Sequence, residues 1–205
     1  MSVDSRSQLT HLECSNCGAE YPADQLATTC PACGKVLLAR YDLAAAAQTM
    51  TPRALAARPW SLQRYTEILP IQDPQAAPSL GEGGSPLHTV PRLAEAFGFE
   101  TLLVKDEALN PTGSFKARGL AMAVGRAREL GATTLALPSA GNAAAATAAY
   151  AARAGLQAVV AMPEDTPTAM LAECLAYGAE VILVKGLIDD CGKVIRAGAA
   201  EFGWT

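Results

Sequence analysis

With 205 residues, half of them apolar, the chain is long enough to bury the core of one medium domain plus a small appendage. Its formal net charge of -4, with lysine and arginine scattered rather than clustered, offers no basic field for a phosphate backbone and argues against nucleic acid as a partner. No apolar run precedes the first cysteine, and the alanine-rich stretch 133–162 is broken by Pro138, Ser139, Asn142 and Arg153, so neither a signal peptide nor a membrane span is expected and a cytoplasmic location follows.

The first predicted element is a small metal module over 1–42. Cys14 and Cys17 in "CSNCG" and Cys30 and Cys33 in "CPACG" have the spacing of a structural zinc site. Gly18 and Gly34, one after each pair, allow the positive φ that such a turn requires. Two disulfides or a redox pair are the competing readings, and a reducing cytosol disfavours them. Four thiolates around Zn2+ leave no open coordination position, so the metal is expected to fold the module rather than to catalyse. Cys174 and Cys191 stand outside this pattern on predicted helices and receive no role.

Residues 43–80 carry prolines at 52, 59, 70, 74 and 78, which predicts short helical turns and extended linker, an arm joining the module to the next domain. Over 81–205, β-prone runs at 101–107, 133–138, 157–163 and 180–186 alternate with helical patterns at about 115–130, 142–154 and 167–177, and another from Leu187. Glycines 131, 155 and 178 stand where helix C-caps belong. The alternation predicts an α/β fold, a parallel sheet covered by helices with right-handed crossovers. In such sheets the working loops lie at the carboxyl ends of strands, beside helix N-termini. Two loops there are chemically marked: "NPTGSFK" (110–116) and "PSAGN" (138–142).

Lys116 falls in the first turn of a predicted helix, where the helix dipole disfavours a cation by about 0.3–1 kcal/mol when exposed. It is either a solvated surface lysine or a lysine whose setting, with Arg118 nearby and Phe115 beside it, favours the neutral amine. A neutral amine attacks an aldehyde to form a Schiff base, the chemistry of pyridoxal phosphate. In "SAGN", Gly141 can simply make a tight turn and Asn142 cap the next helix. Alternatively Ser139, Asn142 and the free N–H groups of that helix start grip a substrate carboxylate or a cofactor oxygen.

"GEGGSPL" (81–87), "KDEALNPTGSFKARG" (105–119) and "SAGN" (139–142), behind a zinc-ribbon-like segment, together resemble threonine synthase of the fold type II pyridoxal-phosphate enzymes. The resemblance implies that Lys116 carries the cofactor and serves as acid and base, that Asn142 hydrogen-bonds the pyridine 3-oxygen, and that Ser139 and Gly141 with Asn142 hold the substrate carboxylate. It further implies conversion of O-phosphohomoserine and water to threonine and phosphate, and a homo-oligomer when the protein is full length. Threonine synthases often have aspartate after the lysine, where this chain has Ala117, and "FK-x-RG" also occurs in threonine and serine dehydratases. A dehydratase-like enzyme is therefore the alternative, and a noncatalytic zinc-ribbon interaction module is the reading from another class. No glycine-rich phosphate loop and no partner for the pyridine nitrogen follow Lys116. The chain is accordingly expected to be an N-terminal, truncated part of the catalytic domain with little activity of its own.

Overall fold

The computed structural model describes residues 6–73 and 77–205. The first five residues of the predicted 1–42 module, and residues 74–76 of the predicted arm with Pro74 among them, lie outside the described residues.

Near the N-terminus, β1 (Leu9–Cys14) lies between β2 (Glu20–Pro22) and β3 (Leu37–Tyr41), antiparallel to both. The strands are short and mostly half-exposed, too little apolar surface to hold the sheet by burial alone.

The segment after β3 is built from capped turns. Asp42 accepts the Ala45 N–H at 2.8 Å at the start of α1 (Leu43–Thr49), and Thr51 accepts the Ala54 N–H at 3.2 Å ahead of α2 (Pro52–Ala57). Proline at the first position of α2 loses nothing, because that N–H has no helical partner. A 3-10 segment (Leu62–Ile68) then brings Glu67 into full burial, where Arg58 Nη1 and Nη2 donate to it at 2.7 and 2.5 Å and Thr49 Oγ1 at 2.8 Å.

β4 (Leu87–Thr89) and β5 (Leu103–Lys105), joined through α3 (Pro91–Phe97), pair antiparallel with Leu87 opposite Lys105 and Thr89 opposite Leu103. This corrects the expectation that 101–107 contributes a strand to the parallel sheet. Central parallel strands need both faces covered, whereas every residue of β4 and β5 is exposed.

The parallel sheet itself has the order β6–β7–β8, with β6 (Thr134–Pro138), β7 (Gln157–Pro163) and β8 (Glu180–Val184). Its helices are α4 (Lys116–Glu129) before β6, α5 (Asn142–Ala154), α6 (Thr168–Ala176) and α7 (Ile188–Phe202). Glycines 131, 155 and 178 all take positive φ just past helix ends, as a left-handed cap requires. On β7, Ala158, Val160 and Met162 face a core shared with α4, α5 and α6, while Val159 and Ala161 meet Cys191 and Ile195 of α7. Both faces of the central strand are thus buried, which is why "QAVVAMP" is apolar without alternation. Ile71 enters the larger core against Gly125 of α4, where an added Cβ would lie 2.5 Å from Ile71 Cδ1.

Two hydrogen bonds at the free edge of β6 decide the topology. Thr205 N–H donates to Thr134 O at 3.0 Å and Ala136 N–H to Thr205 O at 2.8 Å, a parallel pattern. After β8 the chain therefore crosses back over α7, on the face opposite α5, to the far side of β6. Strand order reverses there, and in open α/β sheets the binding crevice lies outside the carboxyl end of the strand at such a switch point. Beyond the carboxyl end of β6 stand residues 139–142.

Candidate active site

The segment that delivers Lys116 is shaped by its own sequence. Asn110 is buried; its Nδ2 donates to the Glu107 carbonyl at 3.0 Å, and its Oδ1 accepts the Gly83 N–H at 3.0 Å. Thr112 adopts φ 58°, the one non-glycine residue with positive φ among the described residues, and Gly113 follows at 66°. Threonine is a poor left-handed residue, so this turn is held by its surroundings rather than by preference. Lys116 N–H then donates to the buried Ser114 Oγ at 3.3 Å, and α4 begins.

A polar network braces that turn from behind. Arg118 donates from Nε to Glu107 Oε2 at 2.6 Å and from Nη2 to Glu107 Oε1 at 2.8 Å, a bidentate pair. Ser85 Oγ donates to Glu107 Oε1 at 2.5 Å and accepts from Arg118 Nη2 at 2.9 Å, and Asn110 Nδ2 donates to Glu107 Oε2 at 2.9 Å. The Arg118 guanidinium, followed by the Ser85 hydroxyl, holds the Glu107 carboxyl down at about 2. Sequence reasoning placed Arg118 as a cation acting on Lys116; the structure shows its charge engaged by Glu107. The signal for this pair was available, an acid and an arginine eleven residues apart in one motif-rich stretch.

The Lys116 amine makes no hydrogen bond and no ion pair among the described residues. Its Nζ lies 4.7 Å from the centre of the exposed Phe115 ring. At the other loop, Ser139 N–H donates to Ala161 O at 3.0 Å, which ties the loop to β7, and Ser139 Oγ accepts the Gly141 N–H at 3.4 Å. Asn142 is the first residue of α5, is exposed, and does not cap it; Gly141 is the N-cap and no side chain caps the helix. The Asn142 amide has no partner among the described residues, and of the first N–H groups of α5 that of Ala144 donates to Gly141 O at 2.8 Å.

The two loops come together although they start from different sheets. Helices α4 and α5 each join β6 through a short connection, so both run against it and begin beyond its carboxyl end. They pack along one another, and the Pro111–Gly113 turn touches α5.

At the far N-terminal end, the sulfurs of Cys14, Cys17, Cys30 and Cys33 all lie within 4.8 Å of one another. Cys14 and Cys33 are separated by 3.4 Å, Cys17 and Cys30 by 3.7 Å, and Cys17 and Cys33 by 3.8 Å. Four thiolates about 2.3 Å from one Zn2+ at tetrahedral angles would be about 3.8 Å apart, so the set fits that ion. Backbone N–H groups of Asn16 and Cys17 point at Cys14 Sγ at 3.4 and 3.5 Å, and Gly18 and Gly34 take φ 70° and 69°. Tyr21 Oη stands 3.1 Å from Cys30 Sγ and is the main reason the Cys30 thiol is lowered to about 6.

The profile of the family described as "Pyridoxal-phosphate dependent enzyme" matches residues 78–205. The chain is 40% identical over 189 residues to a threonine synthase of Methanocaldococcus jannaschii, covering 92% of this chain and 46% of that protein. It is 39% identical to one of Methanosarcina acetivorans, covering 91% and 45%. The chain thus spans about half the length of the curated relatives it matches. Among solved structures, a pyridoxal 5'-phosphate-dependent aspartate racemase shares 29% identity at a TM-score of 0.55, over 59% of this chain and 38% of the racemase. Holo diaminopropionate ammonia lyase from Escherichia coli shares 25% identity at 0.57, over 63% and 39%.

Proposed function

This chain belongs to the pyridoxal-phosphate dependent enzyme family, and on that premise we propose that it forms the lysine-bearing part of a threonine synthase-like active site. The observation that carries the reading is the Lys116 amine at the start of α4, without a polar partner among the described residues, on a helix packed along α5, whose start no side chain caps.

These residues fit pyridoxal phosphate. An unpaired amine suits its aldehyde, and the unpartnered Asn142 amide suits its ring oxygen. When bound, the cofactor supplies an electron sink for negative charge developing on the substrate's carbons. The chain's own groups do the rest. Lys116 would hold the cofactor's aldehyde and could take and return protons at successive substrate carbons. The Ser139 hydroxyl, the Gly141 backbone and the α5 N-terminus hold the substrate carboxylate. Asn142 fixes the ring by its amide, and the Glu107–Arg118 pair keeps the first turn of α4, and with it Lys116, in place. The overall reaction proposed is O-phosphohomoserine and water to threonine and phosphate, in line with the names of the relatives. Zinc held by Cys14, Cys17, Cys30 and Cys33 has a structural part in this reading.

One observation favours a second reading, a dehydratase of hydroxy-amino acids. Ala117, directly after Lys116, is fully buried, a small apolar side chain at the position where threonine synthases often carry an aspartate. Product analysis on the complete gene product tests both. Phosphate released from O-phosphohomoserine supports the first reading; a 2-oxo acid and ammonia from threonine, without phosphate release, supports the second. No turnover of either substrate by a protein that carries the cofactor overturns both.

A further inference from the structure

Behind the Glu107–Arg118 pair lies a cavity of about 330 Å³ whose lining includes Trp60, Arg64, Tyr65, Lys105, Glu107 and Arg118. Arg64 is only 8% exposed, yet no carboxylate meets it among the described residues. Its Nη2 donates to the Leu55 carbonyl, its guanidinium stacks 4.1 Å from the centre of the Trp60 ring and 5.6 Å from that of Tyr65, and its Nε is buried with no hydrogen-bond partner. Lys105, the second cation, donates to the Ser85 carbonyl and makes no ion pair among the described residues. The lining's one carboxylate, Glu107, is already engaged by Arg118.

A buried cation without a counter-charge is unfavourable unless something supplies the missing anion. The wall is also specifically built. Gly84, at φ 61°, lets the backbone approach the indole so closely that a Cβ there would lie 2.2 Å from Trp60 Cδ1. A cavity of this volume is at the small end of ligand sites. We propose that it binds a small oxyanion, a carboxylate or phosphate group, with Arg64 and Lys105 as its cationic contacts and Trp60 as its apolar wall. The lining shares the Glu107–Arg118 brace but includes neither Lys116 nor residues 139–142, and the proposal does not depend on the reading of their function.

The test uses the chain with Trp204→Phe, which leaves Trp60 as its one tryptophan. Fluorescence is titrated with inorganic phosphate, with acetate, and with chloride at matched ionic strength. A saturable change with phosphate or acetate but not with chloride is expected, and the tighter of the two identifies the class of group. Lys105→Gln, at an exposed position, should weaken the apparent affinity at least tenfold with the melting temperature within a few degrees of the parent, and Arg64→Gln should remove the response. No saturable change with either oxyanion, or a change that Lys105→Gln leaves as it was, overturns the proposal. If Arg64→Gln does not fold, the Lys105→Gln result decides alone.

Discussion

Tyr150 in α5 donates its hydroxyl to Glu82 at 2.7 Å, and both side chains are 0% exposed. The same carboxylate accepts from Gln63 Nε2 at 2.7 Å and from the Leu80 N–H at 3.0 Å, so a single buried acid ties the arm, the 81–84 loop and α5 together. Burial, and then the bond to Glu82, push the Tyr150 phenol well above its ordinary range, so the hydroxyl stays a donor at every working pH. Tyr150→Phe removes one donor from a buried carboxylate that makes no ion pair among the described residues. A loss of about 1.5–3 kcal/mol in urea-measured stability is expected, in the range for hydrogen bonds to charged groups. A change below about 0.5 kcal/mol would show that Gln63 and Leu80 satisfy the acid without help.

The Glu67–Arg58 pair sets an acid limit on stability. The Arg58 guanidinium, aided by Thr49, holds the Glu67 carboxyl at about 2. A carboxyl lowered on folding stabilises the native state above its unfolded pKa, and that contribution is lost as pH falls through the folded value. The window is therefore from about pH 4.5 down to 2, and for fully buried Glu67 the contribution at neutral pH is about 3 kcal/mol. Glu67→Gln should be less stable at pH 7 and should flatten the stability curve within that window. Parallel curves for the two proteins between pH 4.5 and 2 would remove Glu67 as the titrating group.

Legibility in the sequence tracked local periodicity. The β6–α5–β7–α6–β8–α7 alternation and its glycine caps could be read because each element announces itself within its own length. The cysteine pairs were legible for the same reason, as each turn is encoded in five residues. The 101–107 run misled because a three-residue edge strand carries the same β-prone residues as a buried one, and its partner, Leu87–Thr89, is equally short. Glu82 and Tyr150 are 68 residues apart, and nothing local marks either as the other's partner. At the site, the residue types were legible and their bracing was not. Asn142 could be read as a cap, yet the helix starts on it and leaves its amide free.

Removing metal should separate the module from the rest. The three short strands of the module bury little, so folding there is expected to depend on a metal closing Cys14, Cys17, Cys30 and Cys33. Metal analysis should find one zinc per chain. Chelation, or Cys30→Ser, should abolish the protection of β1–β3 amides against hydrogen exchange, while the β6–β8 amides keep theirs. Full protection of β1–β3 in a metal-free sample would show that the sheet stands without the ion.

Lys116 is the last and most direct test, because its amine, unlike those of Lys105 and Lys193, is unengaged among the described residues and lies at the start of α4. Lys105 donates to a carbonyl and Lys193 is paired with Asp190 at 2.7 Å, whereas Lys116 has no polar partner among the described residues and opens α4, which packs along α5. An amine that must attack an aldehyde gains from having no carboxylate to hold its proton. Treating the chain with pyridoxal phosphate, reducing with borohydride and mapping peptides should place the label on Lys116, and Lys116→Ala should remove most of it while the melting temperature stays within a few degrees. Glu107→Gln should reduce labelling several-fold without moving it, since the bidentate pair positions the turn rather than reacting. A label on Lys105, Lys185 or Lys193, or undiminished labelling in Lys116→Ala, would place the reactive amine elsewhere.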